Sequence, residues 1–191
     1  MDKIAALKNI ALEIERCRMC KTGKSGVAVP GEGNPNADIV FLGEAPGKTE
    51  AKTGRPFVGR SGQLLRKLIR ESGFTEEDVY ITSPVKYLPD RGTPTKNDIK
   101  HGKIHLDKQL AVIQPKIIVL LGATASYAML GKSVHILKVH GTILRQDGRT
   151  YVMTLHPAAV LRFPKYAPII LADFEHLKTL VMELIGKLCR P

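Results

Sequence analysis

The stretch Lys116-Ile-Ile-Val-Leu-Leu121 limits the fold more than any other part of the chain. Its apolar residues run on without alternation, so a strand here has both faces out of water and needs a covering layer on each side. The apolar runs at 38–43 and 78–82 read the same way. Helical spacing fills the intervals. Ile4, Leu7, Ile10, Ala11 and Ile14 share one face of a helix over 2–17. Leu64, Leu65, Leu68 and Ile69 share one face of a helix over 63–72, stopped by Gly73. Residues 96–113 form a third helix ahead of Pro115, and 123–130 a short fourth. Short strands near 136–145 and 150–155 and a last helix over about 168–186 complete the pattern. Strands alternating with helices imply an α/β fold, a three-layer α/β/α sandwich with a mostly parallel central sheet, in one domain over 1–191. Ligands of such sheets sit beyond the carboxyl ends of the strands, where the loops 43–62 and 156–164 lie.

Charge narrows the class of partner. Lys and Arg outnumber Asp and Glu by 29 to 18, a formal net charge of +11. Between Lys48 and Arg70 seven basic residues (Lys48, Lys52, Arg55, Arg60, Arg66, Lys67, Arg70) face one acid, Glu50. A local field of that sign suits a polyanion, and nucleic acid is the commonest one. No apolar run approaches the ~18 residues of a membrane span, and the start of the chain lacks a signal-peptide pattern. The expectation is a cytoplasmic, prokaryotic-like protein, monomeric and without a membrane partner. Three cysteines, Cys17, Cys20 and Cys189, are too few for a disulfide scaffold. The Cys17-Arg-Met-Cys20 pair is by itself half a metal site, a redox pair or a coincidence.

Two loops carry the chemistry. "GEAPGKT" from Gly43 suggests a phosphate-binding P-loop, but only Glu44, Ala45 and Pro46 separate Gly43 from Gly47, where that motif needs four residues. Pro46 also removes an N–H from a loop that would have to donate N–H groups to phosphate. An NTPase is therefore disfavoured. "GEAPGKTE", "TGRPFVGRSG" and "HPAAVLR", in this order and spacing, resemble the signatures of family 4 uracil-DNA glycosylases. The resemblance extends from "CRMC" through "IIVLLGATA" to the final helix, nearly the whole chain.

The resemblance implies a monofunctional DNA repair glycosylase that flips uracil, or another deaminated base, out of DNA and hydrolyses its N-glycosidic bond, leaving an abasic site. It places Phe57 as the ring that stacks on the flipped base. It places His156 as the donor to negative charge growing on the pyrimidine O2. Glu44 and Glu50 match two family glutamates: the first shapes the base pocket with Gly43 and Ala45 and helps place water, the second orients water or sugar or buttresses the loop. Other families carry an aspartate where this chain has Ala45, which weakens water activation. Val160 and Leu161 fall where related enzymes push an apolar wedge into the base stack. Arg162, Arg60 and Lys86 are expected to meet DNA phosphates. Without a pocket that works, the alternative is a non-catalytic nucleic-acid binder on the same fold.

The chain departs from the family twice. Ser83 stands where the family has an asparagine that reads the uracil edge, and one hydroxyl cannot donate and accept in the same fork. Base specificity is then relaxed or shifted toward another deaminated base. The family also holds a [4Fe–4S] cluster on four cysteines. Cys17 and Cys20 match the first pair, but Tyr87 and Gly102 stand at the other two positions, Gly102 beside His101. A four-cysteine cluster is not expected. The default is no metal, with a metal-free pair or disulfide, and retention requires His101 or Cys189 to be recruited. The histidines other than His156 are expected at the surface or in packing.

Overall fold

A computed structural model describes residues 2–186. Cys189 lies outside them. In chain order the elements are α1 (Lys3–Arg16), α2 (Arg18–Lys21), β1 (Lys24–Ser25), β2 (Glu32–Gly33), β3 (Ile39–Leu42), α3 (Glu50–Thr53) and α4 (Arg60–Glu71). Then come β4 (Val79–Thr82), β5 (Leu88–Pro89), α5 (Lys96–Ile113), β6 (Ile117–Leu121), α6 (Gly122–Leu130) and α7 (Ile136–Val139). β7 (Ile143–Gln146), β8 (Arg149–Thr154), α8 (Pro157–Arg162) and α9 (Ala167–Ile185) close the chain, with one 3-10 turn over Pro164–Tyr166.

Six strands form the central sheet in the order β2-β4-β3-β6-β8-β7. The inner pairings β3–β4, β3–β6 and β6–β8 are parallel, and the short edge strands β2 and β7 pair antiparallel. Strand alternation divides the core into two layers. Phe41, Ile81, Val119 and Val152 meet Leu65, Ile69, Phe174 and Leu177 of α4 and α9 on one side. Val40, Leu42, Ile118, Leu120 and Met153 meet Leu106, Leu110 and Ala125 of α5 and α6 on the other. The α/β/α sandwich is present as expected. The Thr95 hydroxyl and Asp98 carboxylate close a capping box that starts α5. No helix among the described residues is long and apolar enough to cross a membrane.

Several segments differ from the sequence expectation: the loops expected over 43–62 and 156–164 contain the short helices α3 and α8. The strand expected near 136–145 splits into helix α7 and strand β7, which begins only at Ile143. The Ile and Val of 136–139 are β-formers by composition, but His140 N–H closes a helical turn on the Ile136 carbonyl at 2.8 Å.

Candidate active site

The parallel registers bring four strand ends level. Leu42 of β3 lies opposite Thr82 of β4 and Leu120 of β6, and Leu121 lies opposite Thr154 of β8. The residues that follow each strand therefore emerge at one edge. There a cleft of about 380 Å³ is lined by Glu44, Ala45, Glu50, Phe57, Ser83 and His156, among others. The glycine–proline loop after β3 and the His-Pro turn after β8 supply most of its wall.

Phe57 holds an unusual backbone. Its φ is +52°, in the left-handed region that costs a non-glycine residue roughly 1–2 kcal/mol. The surroundings hold it there. Glu50 accepts hydrogen bonds at Oε1 from the N–H groups of Val58 (2.9 Å) and Gly59 (2.7 Å). Arg66 donates from Nε to the Phe57 carbonyl at 2.9 Å and from Nη2 to the Pro56 carbonyl at 3.0 Å. The ring is only 9% exposed and touches the core, yet it lines the cleft and is not sealed away from it. Its approach to the end of β3 requires glycine at 43, because a Cβ there would stand 2.5 Å from the ring.

His156 faces the same space. Its ring lies 5.6 Å from that of Phe57, and a Cβ on Gly43 would be 3.8 Å from Nε2. The side chain also caps α8: Nδ1 accepts the Ala158 N–H at 3.2 Å. A nitrogen that accepts from a backbone donor carries no proton, so the neutral ring carries its hydrogen on Nε2. Burial pushes the pKa down to about 4, against a smaller opposing pull from the Glu50 carboxylate. At neutral pH the imidazole is thus an uncharged N–H donor directed toward Gly43 and the Phe57 ring.

The remaining polar groups are each partly committed. Glu44 Oε2 accepts from Thr124 Oγ1 of α6 at 2.6 Å. Ser83 Oγ donates to the Val85 carbonyl at 2.8 Å, so toward the cleft it offers lone pairs only. Thr124 was invisible as a site residue in the sequence because its partner Glu44 is distant along the chain, and Arg66 was read only as one cation of the basic run although it holds the Phe57 and Pro56 carbonyls.

Three expectations about DNA contacts need correction. Lys86 is 1% exposed, with Nζ bonded to the Pro30 carbonyl, Thr82 Oγ1 and Gln109 Oε1 at 3.0, 2.7 and 2.7 Å, and it cannot meet a phosphate. Burial without an acid partner pushes its pKa down to about 7. Val160 is 7% exposed and sits in the core, so of the expected wedge pair only Leu161, 40% exposed, reaches the surface. Arg162 follows it, exposed, with its guanidinium over the Phe163 ring at 5.3 Å. The basic run of 48–70 is also less free than it reads. Arg66 pairs with Glu32 and Glu76, Arg55 with Glu32, Arg70 with Glu76 and Lys67 with Glu71. Lys48, Lys52 and Arg60 are exposed and have no ion-pair partner among the described residues.

A second cluster lies apart from the cleft. Cys17 follows α1, Cys20 lies in α2, and His101 and His105 stand one turn apart on α5. One donor atom of each lies within 4.8 Å of every other, placing the four to hold a metal ion. Cys17 Sγ is 3.1 Å from His101 Nε2. Two histidines expected at the surface or in packing therefore stand together with the cysteine pair. The fourth corner expected at Gly102 is taken by His101, because Gly102 backs onto the Pro84 carbonyl, which a Cβ would approach to 2.0 Å. Tyr87 packs on Cys20 with Ile10 and Ile14. Burial, and then the hydrogen bond to Cys17, push the metal-free Cys20 thiol up to about 12, the opposite of a redox-active pair.

A cleft at the carboxyl edge of a doubly covered parallel sheet, with a half-buried neutral imidazole beside a restrained aromatic ring, fits a hydrolase of the base-excising kind. The chain belongs to the uracil DNA glycosylase superfamily, whose family model matches residues 30–184. Among its relatives is the type-4 uracil-DNA glycosylase of Thermotoga maritima, 41% identical over 181 residues that cover 91% of this chain and 94% of that protein. That of Sulfurisphaera tokodaii is 37% identical over 93% of this chain and 86% of its own length. That of Archaeoglobus fulgidus is 36% identical over 95% and 94%.

Proposed function

We propose that this single-domain chain is a DNA repair glycosylase that removes uracil, and related deaminated bases, by hydrolysing the N-glycosidic bond of a nucleotide turned out of the stack. The cleft is lined by residues of one chain, and the reading is of a monomer that acts on DNA inside the cell. Extrusion is forced by geometry, since a base within a duplex cannot reach a cleft wall. The extruded base stacks on the Phe57 ring, a contact of the kind worth ~1–3 kcal/mol per base. As the bond to the sugar lengthens, its electron pair moves into the base and negative charge grows on O2. The Nε2–H of His156 meets that charge; a donor so placed in a dry site is worth about 3–4 kcal/mol. The oxocarbenium-like sugar is then captured by water, and little general-base strength is needed when the leaving group departs first. Glu44, held by Thr124, borders the path of that water. Ser83 accepts an N–H from the base edge and leaves the opposite carbonyl unread. The observation that carries this reading is the hydrogen bond from the Ala158 N–H to His156 Nδ1, which assigns the one hydrogen of the neutral ring to Nε2, on the side of Gly43.

The test is an oligonucleotide with one uracil, incubated with the protein and then treated with alkali. Strand scission is expected to require the alkali: Lys86, the amine that leaves the Ser83 loop, is enclosed by Pro30, Thr82 and Gln109 and cannot attack the sugar. His156→Ala lowers the rate by about 100-fold or more. Hypoxanthine and xanthine substrates measure the Ser83 contribution: the ratio of uracil to hypoxanthine cleavage rises roughly tenfold or more in Ser83→Asn. Binding without scission in the unaltered protein would assign the chain to the non-catalytic alternative.

A further inference from the structure

The cluster of Cys17, Cys20, His101 and His105 does not suit the [4Fe–4S] group of the family. A cubane gives each thiolate its own iron, so its four ligand atoms stand about 6 Å apart, and the typical donor set is four thiolates. Here two thiols and two imidazoles converge within 4.8 Å. A single tetrahedral ion bound at about 2.3 Å by sulfur and 2.0–2.1 Å by nitrogen needs donors only ~3.3–3.8 Å apart. The Cys17–His101 pair, at 3.1 Å, is already at that scale. The ligand spacing agrees: two cysteines separated by two residues, and two histidines separated by three on one helix face, is the pattern of Cys2His2 zinc sites.

We propose that this site binds one structural Zn²⁺ ion through Cys17, Cys20, His101 and His105, in place of the family's iron–sulfur cluster. Two thiolates balance the charge of the ion and two neutral imidazoles complete the tetrahedron, so the buried site is uncharged. Each cysteine releases its proton as the ion binds. His105 is buried, and its Nδ1 has no hydrogen-bond partner among the described residues. That nitrogen lies 3.9 Å from the Glu13 carboxylate, itself paired with Lys108. A carboxylate beside an imidazole is the arrangement that orients metal-bound histidines. Four protein ligands leave no open position, as in structural sites, and the ion would fasten α1 and α2 to α5 behind the Ser83 loop.

The experiment is elemental analysis of the full chain, produced with both zinc and iron supplied and purified reduced without chelator. It is joined by visible spectra and zinc-edge X-ray absorption. Expected are about one zinc per chain, no band near 400 nm, and a first shell of two sulfurs near 2.3 Å and two nitrogens near 2.0–2.1 Å. His101→Ala and His105→Ala each lose zinc to a competing chelator at least tenfold more readily. Because such variants can unfold, Co²⁺ is added to stripped wild-type protein as a second readout, and it yields the intense visible bands of a tetrahedral thiolate site. A brown protein with about four irons per chain would overturn the proposal. So would a Cys17–Cys20 disulfide, or reduced thiols that take up neither Zn²⁺ nor Co²⁺. None of these readouts depends on glycosylase activity, so they separate this proposal from the reading of the cleft.

Discussion

His156 is kept neutral by its place, and that has a cost in acid. An unfolded histidine takes its proton near pH 6.5, whereas the folded one resists until about pH 4. Between those values the unfolded chain binds a proton that the native chain refuses, so stability is complete above pH 6.5 and declines as the pH falls. The loss from this group has an upper limit of about 3–4 kcal/mol. His156→Asn separates it from other acid-sensitive groups, because asparagine still caps α8 but does not titrate. Urea midpoints between pH 7 and 4.5 should fall less in the variant than in the wild type. Equal declines would mean that the imidazole titrates normally and is not buried as described. The sequence exposed this histidine because its partners are close: the proline that starts α8 and the N–H two residues on both lie in one motif. Lys86 was misread for the opposite reason. Two of its three acceptors, at Pro30 and Gln109, come from distant segments, and the nearby Thr82 does not by itself mark a lysine as buried.

At the scale of elements, the loop that links β3 to α4 works as a brace around Phe57, and Glu50 is its central strut. Both N–H groups that follow the strained residue end on one carboxylate oxygen. A bracing role and a water-activating role predict different outcomes. Glu50→Gln keeps an acceptor oxygen for both donors, and should hold kcat/KM within a few-fold. Glu50→Ala strands two N–H groups and releases Phe57, which should lower stability by about 2–4 kcal/mol and raise KM more than it lowers kcat. Steady-state kinetics of the two variants on the uracil oligonucleotide decides: a glutamine variant slowed 100-fold would assign the carboxylate to chemistry instead. Elements with a period were legible in the sequence. α4 stands where helical spacing placed it, and the inner strands stand where unbroken apolar runs placed them. β1, β2 and β5 have two residues each, too short for any period, and exist only because a neighbour pairs with them. In α8 the short apolar run did not say which residue faces out; the fold turns Val160 inward and Leu161 outward.

The molecule as a whole carries +11, but its geometry decides how much of that reaches DNA. Read linearly, the 48–70 segment offers seven cations to phosphate. Folded, four of them meet Glu32, Glu71 or Glu76, acids that lie outside that segment. Lys48, Lys52 and Arg60, on the loop and at the start of α4, remain available, with Arg162 at the end of α8 beside exposed Leu161. Binding to duplex DNA releases about 0.9 counterion for each phosphate neutralised, so four contacts give a slope of log K against log salt near −3.6. Eight contacts, the whole segment plus Arg162, would give about −7. Fluorescence anisotropy on a uracil-free duplex across a salt series measures the slope directly. Arg60→Ala should make it shallower by about 1 and Arg55→Ala should leave it unchanged, since Glu32 already holds that guanidinium. A slope steeper than about −6 would show that the ion pairs open to DNA. The acids at 32, 71 and 76 would then be a switch that DNA displaces, not a fixed brace for Arg66 and the Phe57 loop.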